Sequence, residues 1–496
     1  MGFATYVSKV FLWARGVVLV YRNRLIVAIG VSAAISSLWN GSACAMTLQQ
    51  AIDKAMKTNP QIMQAAQDRE ATEFQLRQAR GLYLPSVDLE SGYGRRRLSD
   101  VTSGALSRTN DYLNPADVSL TITQTLFDGG DRKAQKDKQA ARVDGASFRV
   151  QQRSEALALE VTQDYLEYLL QTEIVAAAEK NVAFHKQMVG NIEDSIKGGA
   201  LTDADRFQGR ERLQAANARL QEAKKELDET KIRFLQVVGE PVSDARRPAS
   251  VARYLPKTLD DAVFIAQKNN PQISSAKADV NAADADVRGS KSAFLPKLDL
   301  VGSARVGDDV DGNKGNTSDV QVGVIAKWNL YHGGIDTAHQ QELVRRAAEQ
   351  RFALSQTYRE VDQSVRSAWS ERANQAQLAH ILDGQEKTNA QLVSSYREQF
   401  KVGQRSLLDL LDAQNTRFNT EVLAQTAEVA SLFAEYKILA ASGSLLSTMK
   451  LKPVDQATPY ARDQFAVSSN TADPGYVKYD SHQKPGLPMD LLEPIR

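Results

Sequence analysis

The chain of 496 residues is too long for one ordinary compact domain, so it forms several domains or one elongated domain. Its 61 Lys and Arg nearly balance its 60 Asp and Glu, whereas a nucleic-acid-binding protein has a basic excess. One cysteine, five scattered histidines and the absence of nucleotide-binding or hydrolase motifs predict no cofactor, no metal and no enzyme activity.

The first residues have the pattern of an export signal. Residues 1–24 contain basic side chains and no acidic ones, Leu25–Leu38 is an apolar run, and Ala43-Cys44-Ala45 matches the A-x-A cleavage pattern. The pattern predicts a signal peptide over residues 1–45. Two alternatives remain open, an uncleaved inner-membrane anchor and lipidation of Cys44. The apolar run is shorter than the roughly 20 residues of a membrane span, and no aliphatic residue stands three positions before Cys44.

The rest of the chain is a tandem repeat. Residues 47–62 and 258–273 share nine of sixteen residues without a gap, and Phe127-Asp128-Gly129-Gly130 corresponds to Tyr331-His332-Gly333-Gly334. The repeats span residues 46–250 and 251–450. The remaining residues, 451–496, contain six of the fourteen prolines and are predicted to be a loosely ordered extension.

Each repeat predicts the same succession of elements. A short helix ends before Asn-Pro, and a second helix follows, because proline suits the first helical turn. Apolar residues then alternate with polar ones, which indicates a strand hairpin with a long polar loop. The predicted first helices are 47–58 and 258–269, the second helices 60–82 and 271–293, the hairpins 86–126 and 297–330, and the loops Ser99–Asn114 and Gly307–Thr317.

After each Gly-Gly the apolar period changes to seven residues. Val161, Tyr168, Val175, Val182 and Val189 follow this period, which is typical of a coiled-coil seam. The pattern predicts coiled-coil hairpins over 131–238 and 335–442, each with an outgoing helix roughly 100 Å long at about 1.5 Å per residue. The turns of the two hairpins contain Gly199 and Gly403.

The predicted fold class is α+β, mainly α, with two long antiparallel helical hairpins and four β-strands. Four alternating strands are too few to close a barrel, and an open sheet edge is not tolerated in lipid. Copies of the chain must therefore complete the sheet, so that a dimer gives about eight strands and a trimer about twelve. With an export signal, such a barrel predicts the Gram-negative outer membrane, with the helices in the periplasm.

The order of these elements resembles the TolC family of outer-membrane efflux and secretion channels. The sharpest local likeness is Val402–Ala413, which is similar to the family's VGxRxxLDVLDA turn. The resemblance implies a homotrimeric channel-tunnel in outer-membrane lipid. Its implied partners are a periplasmic adaptor (membrane fusion) protein and an inner-membrane ABC or proton-driven transporter. The expected function is type I protein secretion; the alternatives are small-molecule efflux and, in a different class, a periplasmic coiled-coil structural or adaptor protein without a pore.

The candidate site residues lie at the hairpin turns. Asp409 and Asp412 are three positions apart and share one helix face, so a trimer would place them in two carboxylate rings, unless they are ordinary charges at a helix start. Arg405 is expected to bridge to Asp205 or to lie free on the surface. The resemblance places Phe400 among the closing contacts, where the family has a tyrosine. It also implies that Gly199 and Gly403 contact the adaptor, although the simplest role of both glycines is to form a turn with positive φ.

Overall fold

The computed structural model describes residues 46–101, 108–199, 201–242, 244–312 and 314–468. The predicted signal peptide, 1–45, and the end of the tail, 469–496, lie outside the described residues. None of the helices in the described ranges combines the length and apolar character that a membrane span requires.

Helices form most of each repeat, with bounds close to those that the sequence predicts. The first repeat contains α1 (Leu48–Thr58), α2 (Pro60–Gly81), α3 (Asp131–Lys197) and α4 (Asp203–Val238). The second contains α5 (Leu259–Asn269), α6 (Pro271–Ser290), α7 (Ile335–Lys401) and α8 (Leu407–Ala441). The short helices α9 (Leu445–Thr448) and α10 (Ala461–Gln464) follow. Helices α3 and α7 each have 67 residues.

The two Asn-Pro pairs connect the short helices to the ends of the hairpins. The side chain of Asn59 accepts a hydrogen bond from the N–H of Gln61 and donates one to the carbonyl of Val237, at 2.9 and 3.0 Å. Asn270 makes the equivalent bonds to Gln272 and Ala441, both at 2.8 Å. Each asparagine therefore caps its own helix and satisfies a carbonyl at the end of a return helix, and losing such a cap costs about 1 kcal/mol.

Six strands are described: β1 (Ser86–Tyr93), β2 (Arg96–Val101), β3 (Arg108–Leu113), β4 (Ala116–Phe127), β5 (Lys297–Asp308) and β6 (Asn316–Lys327). Four of them form an antiparallel sheet in the order β1-β4-β5-β6. The predicted loops are therefore partly wrong. Within Ser99–Asn114, the end of β2 pairs with β3, and β5 and β6 extend into Gly307–Thr317. These segments satisfy their backbone groups by continuing the two hairpins.

The four-stranded sheet has one apolar and one polar face. The register places Leu89 opposite Leu120, and Leu120 opposite Ala304, so that their side chains share one face. The neighbouring residues Glu90 and Ser119 share the other face. The apolar side chains are exposed in the single chain, with Leu89 at 72% and Val322 at 74% of their full accessibility. This face and the edge strands β1 and β6 have no partner within the described chain.

The buried seam of α3 toward the hairpin tip differs from the apolar heptad. Val175, Val182 and Val189 are only half-buried. The buried residues there are Ala178, Asn181, His185, Met188 and Ile192. Asn181 accepts a hydrogen bond from Gln414 of α8 at 2.9 Å, and both side chains are buried. Helix α3 therefore contacts the second hairpin through a partly polar row of buried residues. The apolar heptad residues lie beside this row and are only partly covered.

The expectation of a loosely ordered tail is wrong for residues 451–468. The carboxylate of Asp144, only 3% exposed, accepts hydrogen bonds from the N–H groups of Tyr460, Ala461 and Arg462 at 2.9, 2.8 and 3.1 Å. The guanidinium of Arg462 donates to the same carboxylate at 2.9 Å. A buried carboxylate on α3 thus caps α10 and orders the tail despite its prolines.

Candidate functional site

The candidate site is formed by the tips of the two helical hairpins, where α3 turns into α4 and α7 turns into α8. Gly199 and Gly403 have φ values of +76° and +74°, which confirms that both turns use the left-handed region. The N–H of Gly403 donates to the carbonyl of Phe400 at 3.0 Å, and that of Gly199 to Ile196 at 2.9 Å. A Cβ at either glycine would meet no atom within 4 Å, so both turns face open space.

The hydrogen bond, the ion pair and the aromatic contact that Arg405 makes with described residues lie within the second hairpin. Its Nε donates to Gln399 Oε1 at 3.1 Å, and its Nη1 lies 3.6 Å from Asp409 Oδ2. Its guanidinium lies over the ring of Tyr396, 4.2 Å from the centroid, in cation–π geometry. The second hairpin therefore fixes Arg405 beside its own acidic residue.

Asp205 acts as a helix-capping residue. Its carboxylate accepts hydrogen bonds from the N–H and the hydroxyl of Thr202 at 2.9 and 2.8 Å, and these bonds hold the pKa of Asp205 below its ordinary value. The predicted bridge between Arg405 and Asp205 is thus not formed within the chain, because each group has a local partner. Both residues nevertheless line one groove of about 790 Å³ between the tips, together with Phe400 and Gly403.

Asp412 connects the two hairpins. Its Oδ1 accepts a hydrogen bond from Arg212 Nη2 at 3.0 Å, and the two side chains are 55% and 33% exposed. Asp409 and Asp412 both lie on the exposed face of α8, whereas Leu410 and Leu411 between them are buried. The helix thus presents both carboxylates to solvent, as their three-residue spacing predicts, and Arg212 neutralises one of them.

Apolar and aromatic side chains close the interior of the tips. Phe400 is half-buried and packs with Phe184 and Tyr396 on a core that includes Ile192 and Leu410. Because phenylalanine has no hydroxyl, its contribution to this contact is apolar packing. In the same part of α3, burial and then the charge of Arg212 lower the pKa of the buried His185.

Arg212, Asn181 and Gln414 were not among the predicted site residues. The excess of arginine after the first turn, at Arg206, Arg210 and Arg212, is the sequence signal that could have indicated a partner for Asp412. Arg206 and Arg210 instead lie 3.8 and 2.7 Å from Glu193 on α3. No pattern in the sequence relates Asn181 to Gln414, which are 233 positions apart. Nowhere in the described ranges do three or more His, Cys, Asp or Glu side chains gather as a metal ion would require.

An antiparallel sheet with an apolar outward face, joined to two coiled-coil hairpins, defines a subunit of a Gram-negative outer-membrane channel. The sequence model of the family described as "Outer membrane efflux protein" matches residues 51–240 and 264–449, one match in each repeat. The chain belongs to this family, and it is a protein of the outer membrane with its helical hairpins in the periplasm.

Named relatives match over most of their length. The outer membrane efflux protein BepC of Brucella suis is 27% identical over 439 residues, which cover 88% of this chain and 93% of BepC. The alkaline protease secretion protein AprF of Pseudomonas aeruginosa is 25% identical, with coverage of 76% and 80%. The outer membrane protein TolC of Escherichia coli is 22% identical, with coverage of 86% and 90%.

Solved structures share the fold at low sequence identity. The CmeC outer membrane channel of Campylobacter jejuni superimposes with a TM-score of 0.72 at 16% identity, covering 84% of this chain and 89% of CmeC. The CusC structure gives a TM-score of 0.70, also at 16% identity, with coverage of 80% and 92%. These likenesses confirm the predicted channel-tunnel architecture of helical hairpins and strands.

Proposed function

We propose that three copies of this chain form a passive conduit that exports proteins in a type I secretion system. The sheet is the observation that supports a conduit: its apolar face is exposed, and among the described residues its edge strands β1 and β6 pair with no further strand. In lipid, unpaired edges must be removed by closure. Strand β6 runs antiparallel to β1, so β6 of one copy can pair with β1 of the next, and three copies give about twelve strands.

The helices support the same assembly. Helix α3 buries 26 of its 67 residues within the chain, whereas α7, of equal length, buries six. Helix α7 also exposes large apolar side chains, such as Phe352 at 59% and Ile381 at 55%. An exposed apolar row on a coiled-coil helix marks a contact surface. The neighbouring copy would cover α7, and the six hairpins would form the periplasmic tube.

Protein secretion is proposed ahead of small-molecule efflux because the two repeats are nearly symmetric. Their outgoing helices have equal length, and their return helices have 36 and 35 residues. AprF and the Dickeya chrysanthemi protein PrtF are named for protease secretion. BepC is named an efflux protein, which keeps small-molecule efflux as the alternative. A periplasmic adaptor without a pore would not need the apolar sheet.

The tips are the proposed docking and closing region. Gly199 and Gly403 lie on exposed turns at the end farthest from the sheet, where a periplasmic adaptor and, through it, an ABC or proton-driven inner-membrane transporter would attach. In a trimer, Asp409 and Asp412 would line the constriction, with Arg405 beside Asp409. The conduit itself needs no catalytic residue, because the transporter supplies the energy.

Deletion of the gene separates the alternatives. We expect the deletion strain to lose specific proteins from the culture medium while its sensitivity to dyes and antibiotics stays within about twofold of the parent, and plasmid-borne protein to restore secretion. Increased drug sensitivity with unchanged secretion would establish efflux instead. The purified protein should conduct ions in planar bilayers, and cysteines placed on β1 and β6 should cross-link copies into trimers. An adaptor without a pore would do neither.

A further inference from the structure

A basic segment extends the sheet at the end farthest from the helices. Strand β2 continues β1 after Gly94 and Arg95, and β3 continues into β4 through Asn114 and Pro115. The register is unbroken, because Tyr93 is opposite Ala116, Arg96 opposite Leu113, and the N–H of Gly94 donates to the Pro115 carbonyl at 2.9 Å. The hairpin β2–β3 therefore prolongs the wall of the sheet.

The alternation of side chains along this ribbon places two arginines on the apolar face. Counting in steps of two from Leu89 leads through Tyr93 to Arg95 and Arg97, whereas Arg96 falls on the opposite face. The guanidinium of Arg95 lies 5.1 Å from the ring centroid of Tyr112, and Tyr112 is the cross-strand partner of Arg97. The three side chains thus form one cluster on the face that meets lipid.

The accessibilities agree with this division of faces. Tyr93 and Tyr112 are 84% and 57% exposed, whereas Leu113, the partner of Arg96, is 1% exposed. The lipid face therefore changes from aliphatic side chains at Val87 and Leu89 to tyrosine and then to arginine. At about 3.3 Å per residue, Arg95 and Arg97 lie roughly 7 and 13 Å beyond Tyr93. An aromatic belt marks the edge of the hydrocarbon layer, so these arginines lie at headgroup depth.

The guanidinium groups are available for an anionic ligand. Arg95, Arg96 and Arg97 are all exposed, and none is paired with a carboxylate among the side chains that the structure describes. Two acidic residues next to this hairpin, one on β4 and one just after β5, have other partners. The carboxylate of Asp309 accepts the N–H groups of Asn114 and Gly315, at 3.2 and 3.1 Å, and Asp117 binds Arg305 at 3.1 Å.

We propose that Arg95 and Arg97 bind the phosphate groups of lipid A in the outer leaflet, with the ring of Tyr112 holding Arg95 in place. The proposal rests on the outer-membrane barrel described above, which puts this end of the sheet at the cell surface. Guanidinium binds phosphate through two parallel hydrogen bonds, and each basic group near an anionic lipid surface strengthens binding. Lipid A presents its phosphates at this depth and its acyl chains along the apolar face below.

The purified trimer in detergent provides the test, with its heat dissociation followed as lipid A is added. We expect the concentration for half-maximal stabilisation to rise about tenfold to thirtyfold in the Arg95→Gln/Arg97→Gln variant. The control is Arg96→Gln, which removes one positive charge from the other face and should change this concentration by less than about twofold, whereas Arg95→Gln or Arg97→Gln alone, which also removes one, should raise it by about threefold to fivefold. An Arg95→Lys/Arg97→Lys variant, which keeps the charge without the bidentate geometry, should fall between them.

Three results would overturn the proposal: equal stabilisation of the double glutamine variant, equal stabilisation by lipid A stripped of its phosphates, or equal stabilisation by phosphatidylglycerol or inorganic phosphate. Conductance in planar bilayers is measured on the same samples. A protein that conducts but shows no lipid A effect loses only the lipid site, whereas a protein that neither conducts nor forms trimers loses the channel assignment as well.

Discussion

Arg212 of the first hairpin donates a hydrogen bond to Asp412 of the second at 3.0 Å, across 200 positions of sequence. It connects the two repeats at the tip, where the sequence alone predicts a connection between Arg405 and Asp205. The pair is partly exposed, and such pairs contribute about 0.2 to 1 kcal/mol. In a trimer, three equivalent pairs would act together on the closed tip.

The first prediction compares the two arginines of the tip. Arg212→Gln should raise the equilibrium ratio of open to closed tips by about twofold to fivefold per subunit, because it removes a contact between the two hairpins. Arg405→Gln should change this ratio less, because the contacts of Arg405 with Gln399 and Asp409 lie within one hairpin. Single-channel conductance of the purified trimers measures the difference. A larger effect of Arg405→Gln would mean that the trimer uses Arg405 between subunits.

The second prediction concerns the carboxylates. Replacing Asp409 and Asp412 together with Ala should abolish cation preference and block by multivalent cations, because a ring of carboxylates attracts cations. It also leaves Arg212 and Arg405 without their acidic partners, so selectivity should move toward anions. The control is Asp383→Ala, which removes an exposed carboxylate paired with Lys387 at 2.6 Å within α7. Unchanged selectivity of the double variant would make these aspartates ordinary charges at a helix start.

The third prediction concerns Glu155, a buried residue of α3 near α9. Burial raises its pKa from 4.5 to about 7, although it accepts hydrogen bonds from the backbone of Leu446 and Leu445. The folded state therefore binds more protons than the unfolded state between these two pH values, and stability falls as pH rises through this window. Glu155→Gln should make the unfolding free energy depend less on pH and should stabilise the protein above pH 7 by about 2 to 4 kcal/mol.

Urea denaturation between pH 4 and 8 measures this effect. Burial also raises the pKa of Asp164, to about 6. In the Glu155→Gln variant, the unfolding free energy should therefore still fall with pH, but with a smaller slope. The control Glu179→Gln removes an exposed carboxylate that lies 3.3 Å from Lys224 and should keep the parent's pH dependence. Parallel curves for the parent and Glu155→Gln would show that Glu155 has the same pKa in the folded and the unfolded protein.

The fourth prediction compares two glycines that have the same backbone conformation. Gly403 and Gly443 have φ values of +74° and +67°, but only at Gly443 would a Cβ meet other atoms, the Asn269 oxygen and Pro271 Cδ, both at 2.9 Å. Gly403→Ala should cost about 1 kcal/mol of unfolding free energy from strain alone. Gly443→Ala should cost about 1 to 3 kcal/mol more, from the clash. Equal losses in urea denaturation would contradict the packing around Gly443.

The sequence alone determined the local elements. The apolar period and the glycine turn predicted the hairpin 131–238, which the structure divides into α3 (Asp131–Lys197) and α4 (Asp203–Val238). The prolines marked the starts of α2 and α6. These signals act within a few residues. The alternation of the strands likewise indicated which side chains share a face of the sheet. The TolC-family order of elements, and hence the class of protein, follows from these local signals.

Only the tertiary structure decided which faces and charges meet. The apolar heptad did not reveal that α3 buries Asn181 against Gln414, because a polar pair becomes favourable only when both members are enclosed together. The polar composition of Ser99–Asn114 hid β2 and β3, since the continued register of β1 and β4 sets their pairing. The tail is ordered by the carboxylate of Asp144, more than 300 residues before it. Such contacts depend on how distant segments pack, and local sequence patterns do not encode that packing.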